Sequence, residues 1–291
     1  MPFFSLLEYA AFNLHDWSVM TPTIAIIGAL EKEVRHIYAA LENGTTVDEA
    51  GLHIASGTYH GLNIVATVAG MGTVNAAAAT QHLISAYGAN TIIFSGIAGG
   101  LSPALHIADV VIGERLRYLD TDTALIAEST PCLEEFASSD YLVDLAEEAL
   151  REHGYVNAAD ADSPAGGGAS GAVVKDAKTP DADPKQYLRG TIASGDRFIT
   201  GAEVKNAVIA ATHADCVEME GAAIAHIAAK NGADCLVLRA ISDNCDEEYD
   251  AFSTRVFDLD EYAQSASVLV LSLIQRLSTQ LDAKANDEID A

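Results

Sequence analysis

The chain has 291 residues, 49% of them apolar, with 16 Lys and Arg against 42 Asp and Glu for a net charge of −26. Such a field repels phosphate backbones and anionic lipid, which excludes nucleic acid and membrane surfaces as partners, and no apolar run reaches the length of a spanning helix. Cys132, Cys216, Cys235 and Cys245 show no CxxC spacing, so reduced, packed thiols and a cytoplasmic location are expected.

Residues 1–22 read as a peripheral extension: the PFFSLL patch lacks a basic flank, and Met20 offers a second start. Thr23–Gly28 is a continuous apolar run closed by Gly, the pattern of a strand buried on both faces. Glu31–Asn43 reads as a helix. Leu52–Tyr59 and Leu62–Val68 read as strands joined at His60-Gly61. Gly70-Met71-Gly72 turns into the Ala-rich helix Val74–Tyr87. Strands follow at Thr91–Ser95 and Asp109–Ile112, the second either continued by Gly113–Leu119 or turning there, then a helix at Ser139–His153. From 158 to 184 the composition shifts to Gly, Pro and Asp with few apolar anchors, the mark of a flexible surface insertion. Leu188–Ser194 resumes as a strand, followed by helix Glu203–Thr212, strand Cys216–Met219, helix Gly221–Asn231, strand Cys235–Ile241 and a long helix Leu259–Leu281, with a short tail at 286–291. Alternating strands and helices imply one α/β domain over about 23–285, with a mostly parallel sheet flanked by helices on both faces.

In such sheets ligands sit beyond the carboxyl ends of the strands. Those ends carry Glu31 and Glu33, then Gly70-Met71-Gly72, Gly96-Ile97-Ala98-Gly99-Gly100, Glu220, and Ser242-Asp243. Acids and glycines therefore converge on one rim. The partial GxG is weak as a dinucleotide signal, because Asn75 stands at the third glycine position and no acid ends the next strand, so no cofactor is expected. Each acid also has a plain structural reading. Glu33 suits the first turn of a helix, and Asp243 suits a cap. Glu218 and Glu220 flank Met219 and are read as facing opposite ways, one of them solvated. Arg239, in an apolar strand, needs a carboxylate partner, for which Glu220 is the candidate. His36 and His226 have no i, i+4 partner, so no metal site is expected.

Taken together, IAIIGALEKEV (Ile24–Val34), AGMGTVNAA (Ala69–Ala77), FSGIAGGL (Phe94–Leu101), SGDRFI (Ser194–Ile199), VEMEGAAIAH (Val217–His226) and RAISD (Arg239–Asp243) resemble the 5′-methylthioadenosine/S-adenosylhomocysteine nucleosidase family of the nucleoside phosphorylase superfamily. The resemblance implies hydrolysis of an adenine nucleoside by a homodimer. It implies Asp243 as the acid that protonates purine N7, supported by Ser242, and Glu33 as the group that activates water. Glu220 and Met219 are implied at the ribose with Glu218 and Arg239 beside them, Phe198 and Ile199 at the base, and Ala98, Gly99 and Met71 along the sugar.

The chemistry asks for the same kind of set. Cleaving an N-glycosidic bond leaves positive charge on the sugar and negative charge on the base, so one carboxyl protonates the leaving group and another delivers water. A phosphorylase must hold a phosphate dianion, usually with Arg; Phe94–Leu101 has no Arg or Lys, and hydrolysis is preferred. Ile97, Leu119 and the segment Thr123–Phe136 depart from the family pattern. They leave the 5′ group open among methylthioadenosine, S-adenosylhomocysteine, 5′-deoxyadenosine and an aminodeoxyfutalosine-like nucleoside.

Overall fold

A computed structural model describes residues 22–161, 185–245 and 259–289. The regions read as the peripheral extension and the Gly/Pro-rich insertion lie outside the described residues, apart from residue 22 and a short helix at Ala158–Ala161.

The first strand, β1 (Thr23–Gly28), is buried along nearly its whole length and pairs in parallel with β4 (Leu62–Val68) on one side and β5 (Thr91–Gly100) on the other. β3 (Leu52–Tyr59) joins β4 through a tight turn at His60 and Gly61, both with positive φ, and β2 (Glu42–Glu49) forms the outer edge. On the far side of β5 lie β11 (Asp234–Asp243), β6 (Val110–Tyr118), β9 (Gln186–Ser194) and β10 (Cys216–Glu218), in that order. β10 also pairs antiparallel with β5, at Cys216–Gly100 and Val217–Gly99. The strands β5, β11, β6, β9 and β10 therefore close into a small barrel, while β1, β4, β3 and β2 fan out as an open sheet. The pairings β1–β4, β1–β5, β5–β11, β6–β9 and β9–β10 are parallel, so the sheet is mixed and mostly parallel, as the alternation of elements predicts.

Helices cover both faces. On one, α2 (Thr73–Tyr87) and α7 (Gly221–Asn231) pack small residues, Ala76, Ala79, Ala222 and Ala225, against Ile92, Phe94 and Val237. On the other, α1 (Glu31–Ala40), α4 (Asp140–Glu152) and α8 (Leu259–Ile289) bring Ile37, Leu145, Leu273 and Ile274 against Ile24, Ile93 and Leu236. A third cluster, around Ile199, Val208 and Val217, seats α6 (Ala202–Thr212) against the barrel.

Among the boundaries that differ from expectation, three have a plain physical cause. α1 stops at Ala40 and the chain becomes β2, whose every residue is exposed; a strand with no buried face has no alternation to read. β5 runs on to Gly100 rather than ending at Ser95, because its glycines lie within the strand at places where neighbouring side chains fill the space a Cβ would occupy. α8 continues to Ile289, there being no Gly or Pro between Leu281 and that point to stop it.

Candidate active site

A cavity of about 210 Å³ opens where the barrel meets the open sheet, at the carboxyl ends of β1, β5, β9, β10 and β11. Every site residue expected from the sequence lines it: Glu33, Met71, Ala98, Gly99, Phe198, Ile199, Glu218, Met219, Glu220, Arg239, Ser242 and Asp243. Ala29, Leu30, Ile97, Arg197, Val217 and Cys245 share the wall as well, without a site role assigned from the sequence. All but Cys245 fall inside the motifs quoted above, and Cys245 lies two residues beyond RAISD, so membership of those motifs is the signal that could have found them.

Glu33 is positioned by the start of α1. Its Oε2 accepts the backbone N–H of Ala29 (2.7 Å) and of Leu30 (2.9 Å), the orphan donors of the helix entry. The capping contacts thus occupy Oε2, and Oε1 lies against Gly96. Burial pushes the Glu33 carboxyl above its ordinary pKa; Arg239 and the backbone of Leu30, Ala29 and Ile97 oppose that shift.

Arg239 is the charge at the centre. It is 1% exposed, its guanidinium sits 3.8 Å over the Phe94 ring, and it donates to Glu218 Oε2 through Nε (3.1 Å) and Nη2 (2.5 Å). Glu218 is therefore the hydrogen-bonded partner of Arg239, and Glu220, the partner expected from the sequence, pairs with it as well, its Oε2 3.7 Å from Nη2. The expected opposite facing of the two glutamates is corrected. β10 ends at Glu218, and Glu220 is the N-cap of α7 with φ −139° and ψ −37°, so strand alternation no longer holds and both carboxylates are buried beside Arg239. Glu218 is fully engaged: it also accepts from Ser194 Oγ and from the N–H groups of Glu220 (3.1 Å) and Gly221 (2.8 Å). Glu220 Oε1 accepts the Gly72 N–H at 2.7 Å. Burial and the neighbouring Glu218 push the Glu220 carboxyl up to about 7, against the pull of Arg239 and the Gly72 N–H, with Glu33 adding to the rise.

Asp243 ends β11. Its Oδ1 accepts the Cys245 N–H at 2.9 Å, the capping contact expected for it, and its Oδ2 lies 2.8 Å from Ser242 Oγ, which is also 3.2 Å from the Ala98 carbonyl. A Cβ on Gly99 would lie 2.3 Å from Cys245 Sγ and 3.2 Å from Asp243 Oδ1; one on Gly96 would strike Glu33 and Arg239. Gly96 and Gly99 thus mark the two carboxyl groups three residues apart along β5, roughly 10 Å of extended chain. His226, away from this cavity, stacks on Phe136 with ring centroids 4.5 Å apart. Among the described residues no group of His, Cys, Asp and Glu is arranged to hold a metal ion, and no helix is long and apolar enough to cross a membrane.

Residues 23–275 match the phosphorylase superfamily. A nucleosidase for 5′-methylthioadenosine and S-adenosylhomocysteine from Shewanella sp. (strain MR-7) is 31% identical over 265 residues, covering 89% of this chain and 97% of that one. This chain belongs to the 5′-methylthioadenosine/S-adenosylhomocysteine nucleosidase family. A family member from Treponema pallidum (strain Nichols) is likewise 31% identical over 263 residues, 88% of this chain and 94% of its own. Among solved structures, the nucleosidase of Neisseria meningitidis, in complex with methylthio-immucillin-A, superposes with a TM-score of 0.69 at 28% identity, over 87% of this chain and 99% of that one. Futalosine hydrolase of Helicobacter pylori strain 26695 superposes with 0.70 at 27% identity, over 88% and 99%. The chain is thus an N-glycosidase of the group that holds both nucleosidases and futalosine hydrolases.

Proposed function

We propose that this enzyme hydrolyses 5′-thio-substituted adenosines, methylthioadenosine and S-adenosylhomocysteine, to adenine and the thioribose. The observation that carries the reading is a cavity lined by two carboxyl groups, Glu33 and Asp243, in different surroundings, with its buried cation already taken by Glu218. The remaining cation, Arg197, stands exposed at the mouth. Three carboxylates, Glu33, Glu218 and Glu220, surround the one guanidinium of Arg239, an excess of negative charge that favours a cationic sugar and disfavours a phosphate dianion. That supports water as the attacking group.

Asp243 acts as the acid. Its Oδ1 faces an N–H that can only donate, so the transferable proton sits on Oδ2. While it is there, the single Ser242 hydroxyl proton points to the Ala98 carbonyl; once it has passed to purine N7, the hydroxyl turns to the new carboxylate. Glu33 takes the proton of the attacking water, a task helped by its raised proton affinity. Glu220, with Met219, holds the ribose hydroxyls, and Arg239 with Glu218 anchors that wall. Phe198 stacks on the base, the Ile199 backbone reads its edge, and Ala98, Gly99 and Met71 flank the sugar. The enzyme works in the cytoplasm as a homodimer, a reading supported by reduced cysteines and by exposed apolar side chains at Met71, Val74, Leu125 and Leu133.

Asp243→Asn and Glu33→Gln test the assignment. Each is expected to lower kcat by about 10²–10⁴-fold while the protein still melts cooperatively and binds adenine. Wild-type turnover in either variant sinks the role given to that residue. A futalosine-type substrate is the second reading, favoured by the superposition on the H. pylori enzyme, and preference for such a nucleoside over methylthioadenosine establishes it.

A further inference from the structure

We infer that Asp196 is a positioning residue for this reaction, holding the Gly70–Gly72 turn so that its backbone N–H stays on Glu220. The inference rests on the proposed assignment of Glu220 to the ribose. Asp196 follows β9 and directly precedes Arg197, Phe198 and Ile199, three residues of the cavity wall. Its Oδ1 accepts the Thr73 N–H at 2.7 Å and its Oδ2 accepts the Thr73 hydroxyl at 2.6 Å. The preceding N–H, that of Gly72, donates to Glu220 at 2.7 Å. Two successive orphan donors at the start of α2 are therefore divided between two carboxylates, one at the mouth and one inside the site.

The conformation that aims both donors is one only glycine takes easily. Gly72 has φ 99°, and a Cβ there would lie 3.0 Å from Asp196 Oδ1. Asn75 Nδ2 secures the other end of the turn on the Met71 carbonyl at 2.7 Å. The strands behind these two loops, β4 and β9, are not neighbours in the sheet. One carboxylate therefore ties the loop bearing Phe198 to the loop bearing Met71, across the opening.

The groups facing Glu220 are Glu218, Glu33, Arg239 and the Gly72 N–H. Of these, only the N–H depends on the Gly70–Gly72 turn. Its loss removes a donor that favours the ionised carboxylate, so a misplaced turn moves the acidic limb of kcat/KM to higher pH.

The test uses the full chain, adenine release from methylthioadenosine, and three variants. Asp196→Asn keeps the shape and an acceptor for the Thr73 N–H but loses the charge. Asp196→Glu keeps the charge and displaces it by a methylene, and Asp196→Ala keeps neither. Positioning predicts that Asn stays near wild type, whereas Glu and Ala lose about tenfold in kcat/KM, carried mainly by KM, with the acidic limb of Asp196→Glu shifted upward. The inference is overturned if Asp196→Glu keeps the wild-type kcat/KM and pH profile, or if Asn falls as far as Ala, the mark of a charge effect. Cooperative melts for all three separate these outcomes from misfolding. Absence of adenine release by the unmutated chain would instead defeat the functional reading; the same ordering of variants is then read in nucleoside affinity by titration calorimetry.

Discussion

Glu33 and Arg239 meet across one missing side chain: a Cβ on Gly96 would lie 2.6 Å from both Glu33 Oε1 and Arg239 Nη1. Neither neighbour can give way easily, since Glu33 is held by two backbone N–H groups and Arg239 by Glu218 and the Phe94 ring. The strand glycine is thus a condition for placing a carboxylate and a guanidinium together at the base of the site.

Gly96→Ala is expected to lower kcat/KM by about 10²-fold, the scale of an ångström displacement at reacting groups, while a cooperative melt persists. Steady-state kinetics beside a circular-dichroism melt measure both. Near-wild-type kcat/KM would mean that the contact at Gly96 does not set the geometry of Glu33.

Arg239→Met should be strongly destabilising, by about 3–5 kcal/mol, because it leaves buried Glu218 without its counter-charge. Adding Glu218→Gln to that variant should restore part of the loss, since the uncompensated charge goes with it. Urea denaturation of the two variants checks the ordering; a double variant no more stable than Arg239→Met would show that the ion pair is not the source of the cost.

Glu220→Gln should separate stability from activity. The Glu220 carboxyl is raised to about 7 in the folded protein, so the folded state binds its proton more tightly than the unfolded chain does. The resulting penalty is present above the folded pKa and fades as pH falls through 7 towards the ordinary carboxylate range. Glu220→Gln is therefore expected to melt at a higher temperature than wild type in mildly alkaline buffer, with the gap closing on acidification, and to lose kcat/KM at every pH. Thermal melts across that range decide it, and a gap that widens in acid would reverse the sign of the argument.

The elements legible in the sequence are those with a buried face. β1, β4 and β11 read as apolar runs because both of their faces are covered, and the glycines and acids at their ends pointed to one rim. β2 was hidden because all of it faces solvent. The shared burial of Glu218 and Glu220 beside Arg239 departs from expectation for a related reason. Strand alternation was applied to Glu218 and Glu220, but the chain leaves β10 between them, and that change of direction depends on tertiary contacts with Ser194 and Gly72. The role of Asp196 was equally hidden, since its hydrogen-bond partner lies 123 residues away.

The central claim, hydrolysis of a 5′-thio-adenosine by water, is tested most directly by adenine release from methylthioadenosine in phosphate-free buffer, with S-adenosylhomocysteine, 5′-deoxyadenosine, aminodeoxyfutalosine and inosine alongside. Fast release from the two thio-nucleosides, with free thioribose and no phosphate requirement, is the predicted result. Turnover that appears only once phosphate is added, with sugar phosphate as product, would contradict it and remove Glu33 from its role as the base for water.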